Sequence, residues 1–267
     1  MPIANVGDIQ LDYERSGSGA PLLLIMGLSG TALHWRESFL VPLRRDFEVI
    51  VYDHHGVGAS SRLEGPITIA EMARDAVGLL DALEIDSAHV LGISMGGMIA
   101  QELALAHPER VRTLTLGCTY CGGEGSALTS REVALQLAEA RLSGDRERAL
   151  RASWEANVSA ALVDDADAYA EFLAIGLRRP VALPVIVAQT QAILAHDTSE
   201  RLAQLEMPTL VIHGTDDEIL PVQNGRLVAA HIPGARLDIF EGCGHLFFWE
   251  QPERSAELVR EHAAIAV

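Results

Sequence analysis

The chain has 267 residues, of which 49% are hydrophobic and 21% charged, the balance of an ordinary globular protein and not of a disordered one. Its formal net charge is -17 and all 20 basic residues are Arg. So acidic a chain is repelled by nucleic acid and by anionic membrane surfaces, and a chain without Lys has no Schiff-base chemistry and no lysine-bearing phosphate loop.

No apolar run approaches the roughly 20 residues that cross a bilayer. The first eight residues lack the basic start and apolar stretch of a secretory signal. The expected location is the cytoplasm, and the expected partner is a small molecule, with neither nucleic acid nor membrane. Three cysteines, Cys118, Cys121 and Cys243, do not make a disulfide framework. Cys118-Thr-Tyr-Cys121 has zinc-like spacing without a second ligand pair, so buried thiols near a strand end are the better reading.

Taken in chain order, the opening stretch to about Ser16 predicts an antiparallel hairpin. Pro21–Met26 is a continuous apolar strand followed by the turn Gly27-Leu28-Ser29-Gly30, and His34–Arg45 reads as helical. Phe47–Asp53 is the next strand, followed by the loop His54-His55-Gly56-Val57-Gly58. Thr68 caps a helix running to about Leu83, with Glu71 completing a capping box. Ala88–Ile93 is a strand, Met95–Ala106 a helix and Val111–Gly117 a strand.

The strand–helix rhythm then stops. From Tyr120 to Leu205 only helix-like patterns occur, such as Arg131–Leu142 and Ala166–Leu177, together with the helix-breaking Pro180 and Pro184. Alternation resumes with the strands Pro208–His213 and Arg236–Phe240 and the helix Pro252–Ala264. Apolar strands alternating with helices predict a mostly parallel sheet covered on both faces. Residues 1–119 and 206–267 form the expected core domain, and residues 120–205 a helical cap subdomain.

Gly92-Ile93-Ser94-Met95-Gly96 is a G-x-S-x-G motif between a strand and a helix. In that context the serine sits on a strained turn that lifts its hydroxyl above the sheet, and the flanking glycines avoid collisions. A serine hydroxyl needs a base. Among ten histidines, His245 lies in the loop Glu241-Gly242-Cys243-Gly244-His245 past the last strand, at the same sheet edge as Ser94. His213 ends a strand near that edge but belongs to a buried run. His89 enters its strand from the far edge, and His107 lies near a helix terminus. The carboxylate that orients the base is sought in Gly214-Thr215-Asp216-Asp217-Glu218-Ile219-Leu220-Pro221, which keeps the chain order serine, acid, histidine.

These motifs (MGLSG, YDHHGVGAS, GISMGG, GTDDEILP and GCGH) resemble the α/β-hydrolase superfamily, and within it the capped esterases, enol-lactonases and cofactor-free perhydrolases. The resemblance implies an eight-stranded, mostly parallel sheet with a helical cap inserted after the sixth strand. It implies a catalytic acid four residues before the loop proline, which selects Asp217 over Asp216, with Glu124 as the rival position in some relatives. It also implies an oxyanion hole from the backbone N–H groups of Leu28 and Met95. Met26-Gly27 stands where such proteins usually carry His-Gly, which changes the support around the hole rather than the donor.

The expected chemistry is hydrolysis of a carboxylic ester or lactone by Ser94, Asp217 and His245, with no cofactor and no metal. Acyl transfer, perhydrolysis and a ligand receptor on the same scaffold are the alternatives. The inserted helices offer Trp154, Tyr169 and Phe172 as determinants of specificity. Trp35 and His34 read as core or pocket residues.

Overall fold

In a computed structural model, which describes residues 2–266, eight strands form one sheet in the order β1-β2-β4-β3-β5-β6-β7-β8. The strands are β1 (Ile3–Val6), β2 (Ile9–Gly17), β3 (Ala20–Ile25), β4 (Phe47–Tyr52), β5 (Ala88–Ile93), β6 (Val111–Gly117), β7 (Thr209–Gly214) and β8 (Arg236–Phe240). β1 and β2 pair antiparallel, β2 pairs antiparallel with β4, and all other pairings are parallel.

The central strands are apolar on both sides because both sides are covered. Leu23, Ile25 and Val90 pack with the helices α2 (Ile69–Ala82) and α3 (Met95–Ala106), while Leu22, Leu24, Leu91 and Ile93 pack with α1 (Glu37–Leu43) and, beyond β8, α10 (Pro252–Ala263). The loops leaving β3 to β8 therefore gather at one edge, as a parallel sheet requires. Among the described residues no helix is long and apolar enough to cross a membrane.

Local signals explain most boundaries. The Thr68 hydroxyl accepts from the Glu71 N–H at 3.2 Å, and the Glu71 carboxylate accepts from the Thr68 N–H at 2.8 Å, so the capping box starts α2 where the spacing predicts. The helix expected over His34–Arg45 is shorter. A 3-10 turn over Ala32–His34 precedes α1, and Trp35 and Arg36 between them are extended, which drops the Trp35 ring onto Phe39 and Phe248. Trp35 is thus a core residue.

Between β6 and β7 lie four helices: α4 (Arg131–Leu142), α5 (Arg146–Asn157), α6 (Ala166–Arg178) and α7 (Leu183–Leu194). Pro180 follows the end of α6. Pro184, expected to break a helix, instead lies in the first turn of α7, where a missing N–H costs nothing because those donors have no intrahelical partner. Trp154 packs against both Tyr169 and Phe172, its ring centroid 6.1 Å from that of Tyr169. Trp154 and Phe172 are buried, with ring centroids 5.3 Å apart, and both meet Trp249 of the helix α9 (Phe247–Glu250) at 5.8 and 5.7 Å. They join the inserted helices to the core.

A second joint is ionic. Arg179, at the end of α6, donates to Asp12 on β2 at 2.9 Å and to Asp53 after β4; both acids are buried and the Arg179 side chain is 20% exposed. Removing the cation leaves two buried carboxylates facing each other, a change that costs about 3–5 kcal/mol in comparable buried pairs. Arg179→Met is therefore expected to lower the melting temperature markedly in a thermal unfolding scan; an unchanged midpoint would show that the joint adds nothing to stability.

Candidate active site

Ser94 ends β5 and begins α3 with φ +58° and ψ -122°. That conformation is costly for a residue with a Cβ, of order 1–3 kcal/mol, and persists only where the surroundings impose it. Here the Ser94 N–H donates to Gly117 O at 2.8 Å, and the Thr119 hydroxyl donates to Ser94 O at 2.8 Å. The flanking glycines are sterically required. A Cβ on Gly92 would lie 2.1 Å from Gly96 O, and one on Gly96 would lie 2.0 Å from Ile25 O.

The loop after β3 passes directly above, since a Cβ on Gly27 would lie 3.0 Å from the Ser94 Cβ. Leu28 follows Gly27 there, and Met95 is the first residue of α3; neither N–H donates to a protein group among the described residues. The Met26-Gly27 departure has a local explanation. The Met26 carbonyl accepts from His54 Nε2 at 2.8 Å, so a buried histidine from the next loop supports this turn. Burial lowers the His54 pKa, which keeps that ring neutral. On the other side, the Ser29 N–H donates to Gln189 Oε1 of α7 at 3.0 Å, so an inserted helix steadies the same loop.

The loop after β7 separates the adjacent acids. Asp216 is exposed and accepts from the Thr215 hydroxyl at 2.9 Å. Asp217 is buried: Oδ1 accepts from the Ile219 and Leu220 N–H groups at 2.9 and 2.8 Å, and Oδ2 lies 2.7 Å from His245 Nδ1. Burial alone would raise the Asp217 pKa, but His245 and His213 beside it outweigh burial and hold it below the usual carboxylate range. A carboxylate only accepts, so His245 Nδ1 carries the proton and Nε2 is left as a base. Because its folded value is depressed, Asp217 stabilises the fold above the unfolded carboxylate range, and that contribution is lost only as pH falls through the folded value. Glu124 is exposed in the loop after β6.

The His245 loop is held on both sides. Glu250 of α9 accepts from the Gly244 N–H at 2.8 Å and from the Ser159 N–H at 3.0 Å, and the Leu246 N–H donates to Asn157 O at 2.9 Å. A Cβ on Gly244 would lie 2.8–2.9 Å from the backbone of residues 157–159. The end of α5 thus lies against the residue before His245. Ser94 is 8% and His245 4% exposed.

A groove of about 480 Å³ opens beside this edge between Val158, Ser159, Val163, Asp216 and Asp217. A recess of about 310 Å³ between Trp35, Arg36, Arg44, Glu171 and Arg178 shares no residue with Ser94, Asp217 or His245. The remaining candidates have structural partners: His89 Nδ1 meets the Thr113 hydroxyl, the His34 ring meets Thr31, and His107 lies near Glu109. Of the cysteines, Cys118 lies within 4.8 Å of the Asp217 and His245 donor atoms, and Cys121 is not part of that cluster. Burial, with the Asp217 charge, pushes the Cys118 thiol well above its usual range, and burial pushes Cys121 up to about 11.

The sequence points to Ser94, Asp217 and His245 but not to Gln189, Glu250 or Arg179, whose partners Ser29, Ser159, Asp12 and Asp53 lie 91 or more residues away. The family model for the alpha/beta hydrolase fold matches residues 20–252. The chain is 35% identical to a provisionally named carbamate hydrolase, RutD, of Azorhizobium caulinodans, with 97% of each chain covered. It is 30% identical to 3-oxoadipate enol-lactonase 2 of Acinetobacter baylyi, covering 92% of this chain and 90% of that one. Among solved structures, the enol-lactonase from Burkholderia xenovorans LB400 is similar with a TM-score of 0.86 at 26% identity, covering 98% of this chain and 100% of that one. Sheet, serine turn and sequence similarity together make this chain a member of the α/β-hydrolase family.

Proposed function

We propose that the protein hydrolyses a carboxylic ester or lactone with a small to medium hydrophobic acyl part, through an acyl-enzyme on Ser94. The observation that carries this reading is the 2.7 Å contact between His245 Nδ1 and Asp217 Oδ2 at the sheet edge where Ser94 projects. His245 Nε2 takes the Ser94 proton as Oγ attacks the carbonyl carbon. The tetrahedral oxyanion sits on the Leu28 and Met95 N–H groups, each worth about 3 kcal/mol in comparable sites. His245 then protonates the departing alkoxide, and a water activated by the same nitrogen releases the acid. No step calls for a cofactor. Helices α4 to α7 act as the cap, since Gln189 and residues 157–159 touch the loops that carry Leu28 and His245.

A second reading is carbamate hydrolysis, favoured by the 35% identity to the relative of that name; the same serine attack would then release an amine or alcohol from a carbamoyl carbon. A panel of nitrophenyl esters of graded acyl length, lactones and simple carbamates separates the two. Multiple turnover is expected on short esters and lactones. Turnover confined to carbamates would move the assignment. Stoichiometric binding without turnover on the whole panel would overturn catalysis in favour of a ligand receptor.

A further inference from the structure

His213 is a buried titratable residue that the proposed mechanism does not use. It stands one residue before the end of β7, and its Nε2 is 2.7 Å from Leu220 O and 3.2 Å from Asp217 Oδ2. A carbonyl oxygen only accepts, so Nε2 carries the proton and donates to Leu220 O, with Asp217 Oδ2 beside the same polar edge of the ring. Asp217 consequently receives three hydrogen bonds, from the Ile219 and Leu220 N–H groups on Oδ1 and from His245 on Oδ2, and has the His213 ring against Oδ2 as well. The same N–H binds the carbonyl of Leu220, so it ties the far end of the acid loop back to the strand that begins it.

The opposite ring atom, Nδ1, is buried without a partner and faces Gly225. A Cβ on Gly225 would lie 2.6 Å from it, and 2.8 Å from the His213 Cβ. Gly225 is inside the helix α8 (Gln223–His231), where glycine costs roughly 0.5–1 kcal/mol relative to alanine. The space for this ring is the local reason for that glycine.

We infer that His213 is a positioning residue for Asp217: its Nε2–H, bonded to Leu220 O, closes the acid loop and sets the ring edge against Oδ2, which fixes the angle from which the carboxylate meets His245, and Gly225 preserves the room the ring needs. This rests on the Ser94–His245–Asp217 reading above. Around the pair stand Cys118 just after β6, His245 and Cys243 from the loop after β8, and from α8 the uncharged Gly225. Burial, with the Asp217 charge acting on Cys118, keeps both thiols protonated, so Asp217 and His245 carry the charge changes near His213. The polar N–H edge of His213 beside Oδ2 offsets part of the carboxylate charge that would otherwise stabilise the His245 imidazolium. Without it, the acid limb of kcat/KM moves to higher pH.

The test compares His213→Leu, His213→Gln and Gly225→Ala with wild type and Ser94→Ala on a short nitrophenyl ester. Functional sites are counted by phosphonate labelling so that misfolded protein does not enter kcat. His213→Leu is expected to lower kcat per site roughly tenfold with KM little changed, and to move the acid limb up by about half a pH unit. His213→Gln, whose Nε2 reaches the same point, is expected to recover most of both, and Gly225→Ala to fall between. Wild-type kcat and pH profile in His213→Leu would overturn the inference while leaving the triad in place, and so would equal impairment in the Leu and Gln variants with an unmoved limb. Should His213→Leu fail to fold, a wild-type profile in Gly225→Ala would overturn it. Turnover that survives in Ser94→Ala would instead remove the reading on which the inference rests.

Discussion

Ser94→Ala is expected to abolish turnover, by roughly 10⁵–10⁶ in kcat, the scale on which a serine hydrolase loses its nucleophile. The substitution removes one oxygen from a residue that is 8% exposed. The main-chain bonds from Ser94 N–H to Gly117 O and from the Thr119 hydroxyl to Ser94 O do not involve that oxygen, so the turn and the melting temperature should survive. A phosphonate should add its mass at Ser94 in the wild type and nowhere in the variant. A folded Ser94→Ala protein that retains turnover would refute covalent catalysis at this serine.

Asp217→Asn is expected to lower kcat by up to about 10⁴, as loss of the orienting carboxylate does in a related triad. The adjacent Asp216→Asn is expected to leave most of the activity. The contrast follows from two consecutive side chains with opposite surroundings. Asp217 is buried under three donated hydrogen bonds with the His213 ring beside it, while Asp216 is exposed and bonded to its neighbour Thr215. An asparagine at 217 that still accepts from the Ile219 and Leu220 N–H groups through its oxygen must turn its NH₂ toward His245 Nδ1. That favours the wrong tautomer and occupies Nε2 with the proton it should receive. Kinetics of the two variants on one ester check the choice: a reversed pattern would make Asp216 the acid, and two mild effects would redirect attention to Glu124.

The strands and helices around Ser94 were legible because their chemistry is local. Ala88–Ile93, Met95–Ala106 and Val111–Gly117 begin and end as the apolar runs and glycines say, since a buried parallel strand needs a continuous apolar run and the turn needs Gly92 and Gly96. Asp217 was separable from Asp216 only through the family spacing to Pro221, as both acids look alike in a turn. The helices α5 and α8 did not stand out, their sequences RERALRASWEAN and QNGRLVAAH being too polar to show a clean apolar stripe. In α7 the apolar residues run all round, and Pro184 disguises its start. Gln189, His213, Glu250 and Arg179 were unreadable as site supports for a different reason. A glutamine, a histidine or an ion pair acquires its meaning from the partner, and the chain announces neither the distant partners of Gln189, Glu250 and Arg179 nor the direction in which the His213 ring turns toward Asp217 and Leu220 a few residues on.

The fastening of the His245 loop bears on how proteins of this shape diversify. The Glu250 carboxylate spans Gly244 and Ser159, and Asn157 O receives the Leu246 N–H, so the loop that carries His245 is registered partly by a segment that belongs to the insertion. Segments 120–205 are therefore not freely interchangeable cassettes. A chimera that grafts a relative's insertion onto this scaffold would inherit a mis-set His245 loop, unless position 159 and its carboxylate partner at 250 travel as a matched pair. Recombination libraries built on this chain would do better with crossovers that keep those two positions from one parent.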